Sequence, residues 1–277
     1  MLGAGLAFSI MLITFPMPAP AQVVSAATRL LDVGYRQMYN LDFQGAHQSF
    51  QLYENTHPQD PLGPVSNAAA YLFSEFDRLH ILEVEFFTDP HKFEVREKLS
   101  PDPAIRANFD KELNSATQIA DQALAHSPRD SNALFAKVLA DGLRGDYLAL
   151  IEKRNLAGLR YMKTGRALAE KLISIDPSYY DAYLAIGVEN YLLGVTAAPV
   201  RWILRLGGAE TSKSQGIANL KLTADKGHYL APYARLLLAV AALRDQDRIT
   251  ARNLLAGLSR EFPQNSLYQK ELAHIQP

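Results

Sequence analysis

The chain has 277 residues, 48% of them hydrophobic and 21% charged, with 28 basic and 29 acidic side chains and no cysteine. It is too apolar to stay disordered and long enough to bury a sizeable core, and its near-neutral charge excludes a general nucleic-acid binder or polybasic membrane binder. Without cysteine, disulfide scaffolds, cysteine-ligated zinc, iron–sulfur clusters and thiol catalysis are excluded too.

Leu2 to Phe15 is apolar apart from Ser9, Pro16-Met17-Pro18 breaks the run, and Ala19-Pro20-Ala21 follows. That order is the order of a secretory signal over residues 1–21, cut after Ala21, although no Lys or Arg precedes Arg29. A retained anchor is the alternative, but at roughly 14 residues the run is shorter than a spanning helix needs. The expectation is export, to the periplasm or cell envelope of a bacterium.

From Gln22 to the end the spacing predicts a single all-α domain, 22–277. Apolar residues recur at three- and four-residue intervals, giving helices over 24–39, 43–56, 64–87, 104–126, 131–144, 150–175, 180–193, 198–206, 211–226, 231–244, 247–261 and 265–275. Short turns join most of them, so neighbours should pack antiparallel.

Four phrases close a helix in the same way: Thr56-His57-Pro58, His126-Ser127-Pro128, Ile175-Asp176-Pro177 and Glu261-Phe262-Pro263. A proline cannot continue a helix and sets a sharp stop. Twelve and eight residues before these prolines stand Ala46 and Phe50, Ala116 and Ala120, Gly165 and Ala169, and Ala251 and Leu255. Small residues at fixed offsets let the two helices of a hairpin approach closely.

Chemistry-bearing motifs are quiet. The seven histidines show no His-Glu-x-x-His and no pair four residues apart, and no Walker lysine-serine or Gly-x-Ser-x-Gly elbow occurs. Close acidic pairs such as Glu83 and Glu85 are expected by chance on solvated faces. No catalytic residue, cofactor site or metal site is predicted, and nucleic acid is not expected as a partner. His80 to Asp102 is the least repeat-like stretch, with Phe86-Phe87-Thr88-Asp89-Pro90 breaking the helix and Ser100-Pro101-Asp102-Pro103 restarting it. A loop insert of about 88–103 inside one hairpin is the expectation. Trp202, flanked by Arg201 and Arg205 within Val200 to Leu206, suits either a buried extra helix, 198–206, or a short interfacial membrane helix.

The spaced small residues and closing prolines resemble the tetratricopeptide repeat, which places Gly/Ala in its first helix, Ala-x3-Phe in its second and a proline at its end over 34 residues. The best copy is 27–60, with Gly34, Ala46, Phe50 and Pro58, and the next is 232–265, with Ala239, Ala251, Leu255 and Pro263. The prolines lie 70, 49 and 86 residues apart, exceeding multiples of 34 by about 2, 15 and 18, so the middle hairpins carry inserts or longer helices. The fold this implies is an all-α, tetratricopeptide-like right-handed superhelix of about five antiparallel hairpins, with inserts, a central extra helix and a C-terminal capping helix over 265–275. Around Tyr191 to Gly194, Ala198 to Gly208 and Gly216 to Lys226 the chain also loosely resembles the inclusion-clearance tetratricopeptide proteins of the mitochondrial outer membrane.

The first resemblance implies a concave inner face built from the first helices: Thr28, Leu31, Tyr35 and Met38, then Asn132, Phe135 and Leu139, then Asp181, Leu184, Val188 and Tyr191, and last Tyr233, Leu236, Val240 and Leu243. Aromatic anchors with a few polar groups suit a peptide or partner helix. In the alternative, a short array curls on itself and these residues become core. The function implied is a non-enzymatic scaffold binding an unidentified protein segment in the groove. Two alternatives stand beside it: a small-molecule binder or hydrolase-like enzyme with its site under the 88–103 loop, and a peripheral membrane protein using 200–206.

Overall fold

The computed structural model describes residues 26–82, 99–195 and 212–275. The proposed signal segment, most of the 88–103 insert and the 198–206 helix lie outside them. Eleven α-helices and no strand occur among the described residues. They pair as hairpins: α1 (Ala26–Tyr39) with α2 (Phe43–Thr56), α3 (Leu62–Arg78) with α4 (Pro103–His126), and α5 (Ser131–Asp146) with α6 (Asn155–Ile175). Next come α7 (Tyr183–Val195) with α8 (Lys213–Lys226) and α9 (Ala231–Arg244) with α10 (Arg248–Glu261), and α11 (Ser266–His274) packs on α10. First helices also touch first helices, α1 on α3 and α3 on α5, as stacking of repeats requires.

The first hairpin shows how sequence becomes packing. Leu31, Tyr35 and Met38 bury one stripe of α1, and Ala46, Phe50 and Tyr53 bury one stripe of α2. Gly34 lies directly under the Phe50 ring, where a Cβ would collide with it. Asp42 begins α2 by accepting the Gly45 N–H at 3.0 Å, which satisfies one of the donors a helix start leaves free.

The four prolines perform one task. The residue before each accepts a hydrogen bond from the N–H three residues on: His57 from Asp60 (3.0 Å), Ser127 from Asp130 (3.0 Å), Asp176 from Tyr179 (3.1 Å) and Phe262 from Asn265 (3.1 Å). Proline at the second position presets the backbone of such a turn. Two of the turns end in the residue that caps the next helix, Asp130 accepting from Ala133 N–H and Asn265 from Leu267 N–H, while Asp60, one residue before the capping position of α3, accepts from Leu62 N–H.

Three predicted elements change. The helix expected over 64–87 ends at Arg78, because His80 takes a left-handed conformation (φ 57°) and Ile81 N–H turns back to the Phe76 carbonyl. The helix expected from 150 begins at Asn155, since α5 runs on into a π-helical turn, Tyr147–Ile151, and the chain then breaks at Lys153 (φ 57°). The helix expected over 180–193 opens with a 3-10 turn, Tyr180–Ala182. The described helices between Pro58 and Pro128, α3 and α4, pack against each other as one hairpin.

The array closes on itself. Tyr35 stacks on Tyr229 with centroids 4.7 Å apart, and Tyr39 packs against Phe262 at 5.4 Å. The Tyr39 hydroxyl donates to the Tyr229 carbonyl (2.9 Å), and Asn265 Nδ2 donates to the Tyr39 carbonyl (2.9 Å). His228 Nε2 meets Asp32 Oδ1 at 2.7 Å, and Gln264 N–H donates to Asn40 Oδ1 at 3.2 Å. The first hairpin thus sits against the turns that precede α9 and α11.

Candidate functional site: the inner face and its cavity

Closure turns the inner face into the wall of a cavity of about 100 Å³. Of the expected inner-face residues, Tyr35, Met38, Leu139, Asp181, Leu184, Val188 and Tyr233 line it together. Leu236 lines a smaller space beside it, with Phe73, Tyr39 and Tyr233. Leu31, Phe135, Tyr191 and Val240 are buried, Phe135 against the Tyr179 ring at 4.9 Å. Leu243 is half-buried, Asn132 is exposed, and the side chain of Thr28 lies outside the described part.

The cavity also has walls that the repeat register had not named. Phe73 and Ala69 come from α3, Gly142, Leu143 and Asp146 from α5, and Met162 and Gly165 from α6. Phe73 meets Tyr233 edge-on at 5.4 Å. A signal existed for α3: Ala69 and Phe73 follow Pro58 at the same distances at which Leu139 and Leu143 follow Pro128. Met162 and Gly165 had no such signal, because the inner face was built from first helices alone.

Two carboxylates face this apolar space, and their situations differ. Asp181 accepts the Tyr229 and Leu230 N–H groups, both at 3.0 Å, so it ties α7 to the start of α9. Burial raises its pKa, and those backbone bonds oppose the shift. Asp146 ends α5, accepts no hydrogen bond among the described residues, and is pushed up to about 7 by burial alone. Burial likewise raises Tyr35 and Tyr233, the latter further through the Asp146 charge.

A second polar cluster lies between α2, α3 and α4. His47 Nδ1 is 2.6 Å from Asn67 Oδ1, and Asn67 Nδ2 donates to Glu54 Oε1 at 3.1 Å. Burial and the nearby Glu112 charge push Glu54 up to about 7, and burial lowers the pKa of His47. Asn67 is fully buried and holds both partners, so the cluster reads as the polar seam of a repeat interface. Among the described residues, no group of three or more His, Asp or Glu is placed to hold a metal ion, and no helix is long and apolar enough to cross a membrane.

The chain is similar in structure to a thermophilic TPR protein of Thermus thermophilus, with a TM-score of 0.47 and 17% sequence identity over 90% of this chain and 98% of that one. No protein-family model matches the chain, and no curated protein matches it.

Proposed function

We propose that the protein is a non-enzymatic scaffold that holds a segment of a partner protein against its inner face, outside the cytoplasm, in the periplasm or cell envelope. Helical-repeat folds of this kind present inner surfaces to protein partners. The observation that carries the reading is the convergence of half-buried apolar side chains from four hairpins on one space: Phe73, Leu139, Leu184, Val188 and Tyr233. Large side chains held on rigid helices make good anchor points for a partner. Export is supported by the order of apolar run, proline break and Ala19-Pro20-Ala21.

A photo-crosslinking residue placed at Leu184 or Leu236 should trap a protein partner in envelope extracts, whereas the same residue at Leu52, which is 51% exposed on α2, should not. Crosslinks from Leu52 alone would move the binding surface away from the inner face. Recovery of the mature chain with Met1 intact in the cytoplasm would refute the proposed location.

A further inference from the structure

We propose that the cleft between α4, α5 and α6 binds a phosphoryl group, the dianionic head of a phosphate ester, among four arginines. The cleft shares no lining residue with the central cavity, so the proposal goes beyond the scaffold reading and does not rest on it.

Arg106 of α4, Arg144 of α5, and Arg154 and Arg160 at the start of α6 all line this space, and Glu152 is the one acid among its described walls. The cluster is invisible as a run of charge, since three helices supply it. Arg106 lies 3.0 Å and Arg154 3.2 Å from Glu152, and Arg144 pairs with Asp110. Arg160 has no acidic partner among the described residues. Counting the carboxylates these arginines pair with, four positive charges meet two negative ones. A phosphate ester brings about two negative charges and three acceptor oxygens, which neutralises the excess, whereas a single carboxylate leaves half of it.

Stacking holds two of the guanidinium groups before any ligand arrives. The Phe109 and Tyr147 rings stack at 5.2 Å, with Arg106 over Tyr147 at 5.5 Å and Arg144 over Phe109 at 5.2 Å. Arginines fixed in this way lose little freedom on binding, and their planar forks match phosphate oxygens in pairs. Further donors at the cleft are unused. The Tyr147 hydroxyl is buried without a hydrogen-bond partner among the described residues, and the Arg106 guanidinium lies over its ring. Helix α6 begins here with Arg154 in the capping position and no side-chain bond to its first N–H groups, so its positive end lies on the cleft as well.

Titration calorimetry of the full chain with inorganic phosphate at pH 8 should give saturable binding, at least tenfold tighter than that of acetate. Arg154→Gln and Arg160→Gln should each weaken phosphate at least fivefold, whereas Arg129→Gln, the same charge change on an exposed turn, should not. Glu152→Gln removes the competing carboxylate and should tighten phosphate at least threefold. Tyr147→Phe breaks no hydrogen bond among the described residues, so it should weaken phosphate binding while leaving the thermal midpoint unchanged. Binding equal to the parent in Arg160→Gln, equally weakened in Arg129→Gln, or failing to saturate would overturn the site. Vesicles of phosphatidylcholine with phosphatidic acid identify the source of the group, since Leu156, 79% exposed in the first turn of α6, is free to enter a lipid layer. Vesicle binding that phosphate displaces makes the group a lipid headgroup. Phosphate binding without vesicle binding makes it a soluble ester, and both results keep the site.

Discussion

At Gly34 the absence of a side chain lets α1 lie against the Phe50 ring, and the whole first hairpin depends on that approach. Gly34→Ala should lower stability by about 1–3 kcal/mol through overpacking. Gly257, in α10, has nothing within 4 Å of an added Cβ, so Gly257→Ala should raise stability by roughly 0.5–1 kcal/mol. Urea denaturation of both variants checks the pair, and equal effects would contradict the geometry. Asp146 gives a pH-dependent prediction. Its carboxyl moves from an ordinary 3.8 up to about 7 in the fold, so the folded chain holds the proton more tightly than the unfolded one. The resulting stability is whole below about pH 4 and is lost as pH rises through 7. Glu54, moved from 4.5 up to about 7, acts in the same direction. Asp146→Asn should therefore exceed the parent by roughly 1–3 kcal/mol at pH 8, with the gap closing toward pH 4. A gap that does not change with pH would show that the carboxyl is solvated.

Among the elements, the turns repeat as faithfully as the helices do. The α1–α2 and α9–α10 connections share a left-handed second residue, Leu41 (φ 64°) and Gln246 (φ 62°), followed by Asp42 and Asp247 as helix caps. Gln246 is exposed, so Gln246→Gly should relieve backbone strain and raise the thermal midpoint, by an amount equivalent to about 1 kcal/mol. A lowered midpoint in calorimetry would contradict this. The same geometry explains which helix limits were legible. Helices ended by proline turns, such as 43–56 and 104–126, were readable because proline and the small residues before it act locally. The end of α3 was not, since His80 adopts the left-handed conformation that glycine or asparagine normally announces. The π-helical turn after α5 was equally hidden, because Tyr147, Leu148 and Ile151 keep an apolar spacing that reads as α-helix.

For the molecule as a whole, closure decides what the inner face is. The tetratricopeptide resemblance implied that Tyr35, Leu139, Leu184, Val188 and Tyr233 share the inner side of the array, and the structure brings them to one cavity. The resemblance could not distinguish an open groove from a closed one, because that depends on long-range meetings such as Tyr35 with Tyr229 and Asn265 with Tyr39. Asp146 was invisible for a related reason: one more acid near a helix end carries no pattern, and only the walls of the cavity make it unusual. Asn265→Ala should leave the Tyr39 carbonyl short of a buried donor and remove the α11 cap, costing about 1–3 kcal/mol. In hydrogen exchange the loss should also reach α1. An open array would confine it to α10 and α11.

The absence of native cysteine makes closure directly measurable. Val33 and Gln264 flank the same surface hollow where the first hairpin meets the turn before α11, and both are exposed. Spin labels on Val33→Cys and Gln264→Cys should give one short, narrow distance distribution in solution. A broad distribution at long distance would mean that the ends stand apart, and the inner face would then be an open groove with no central cavity.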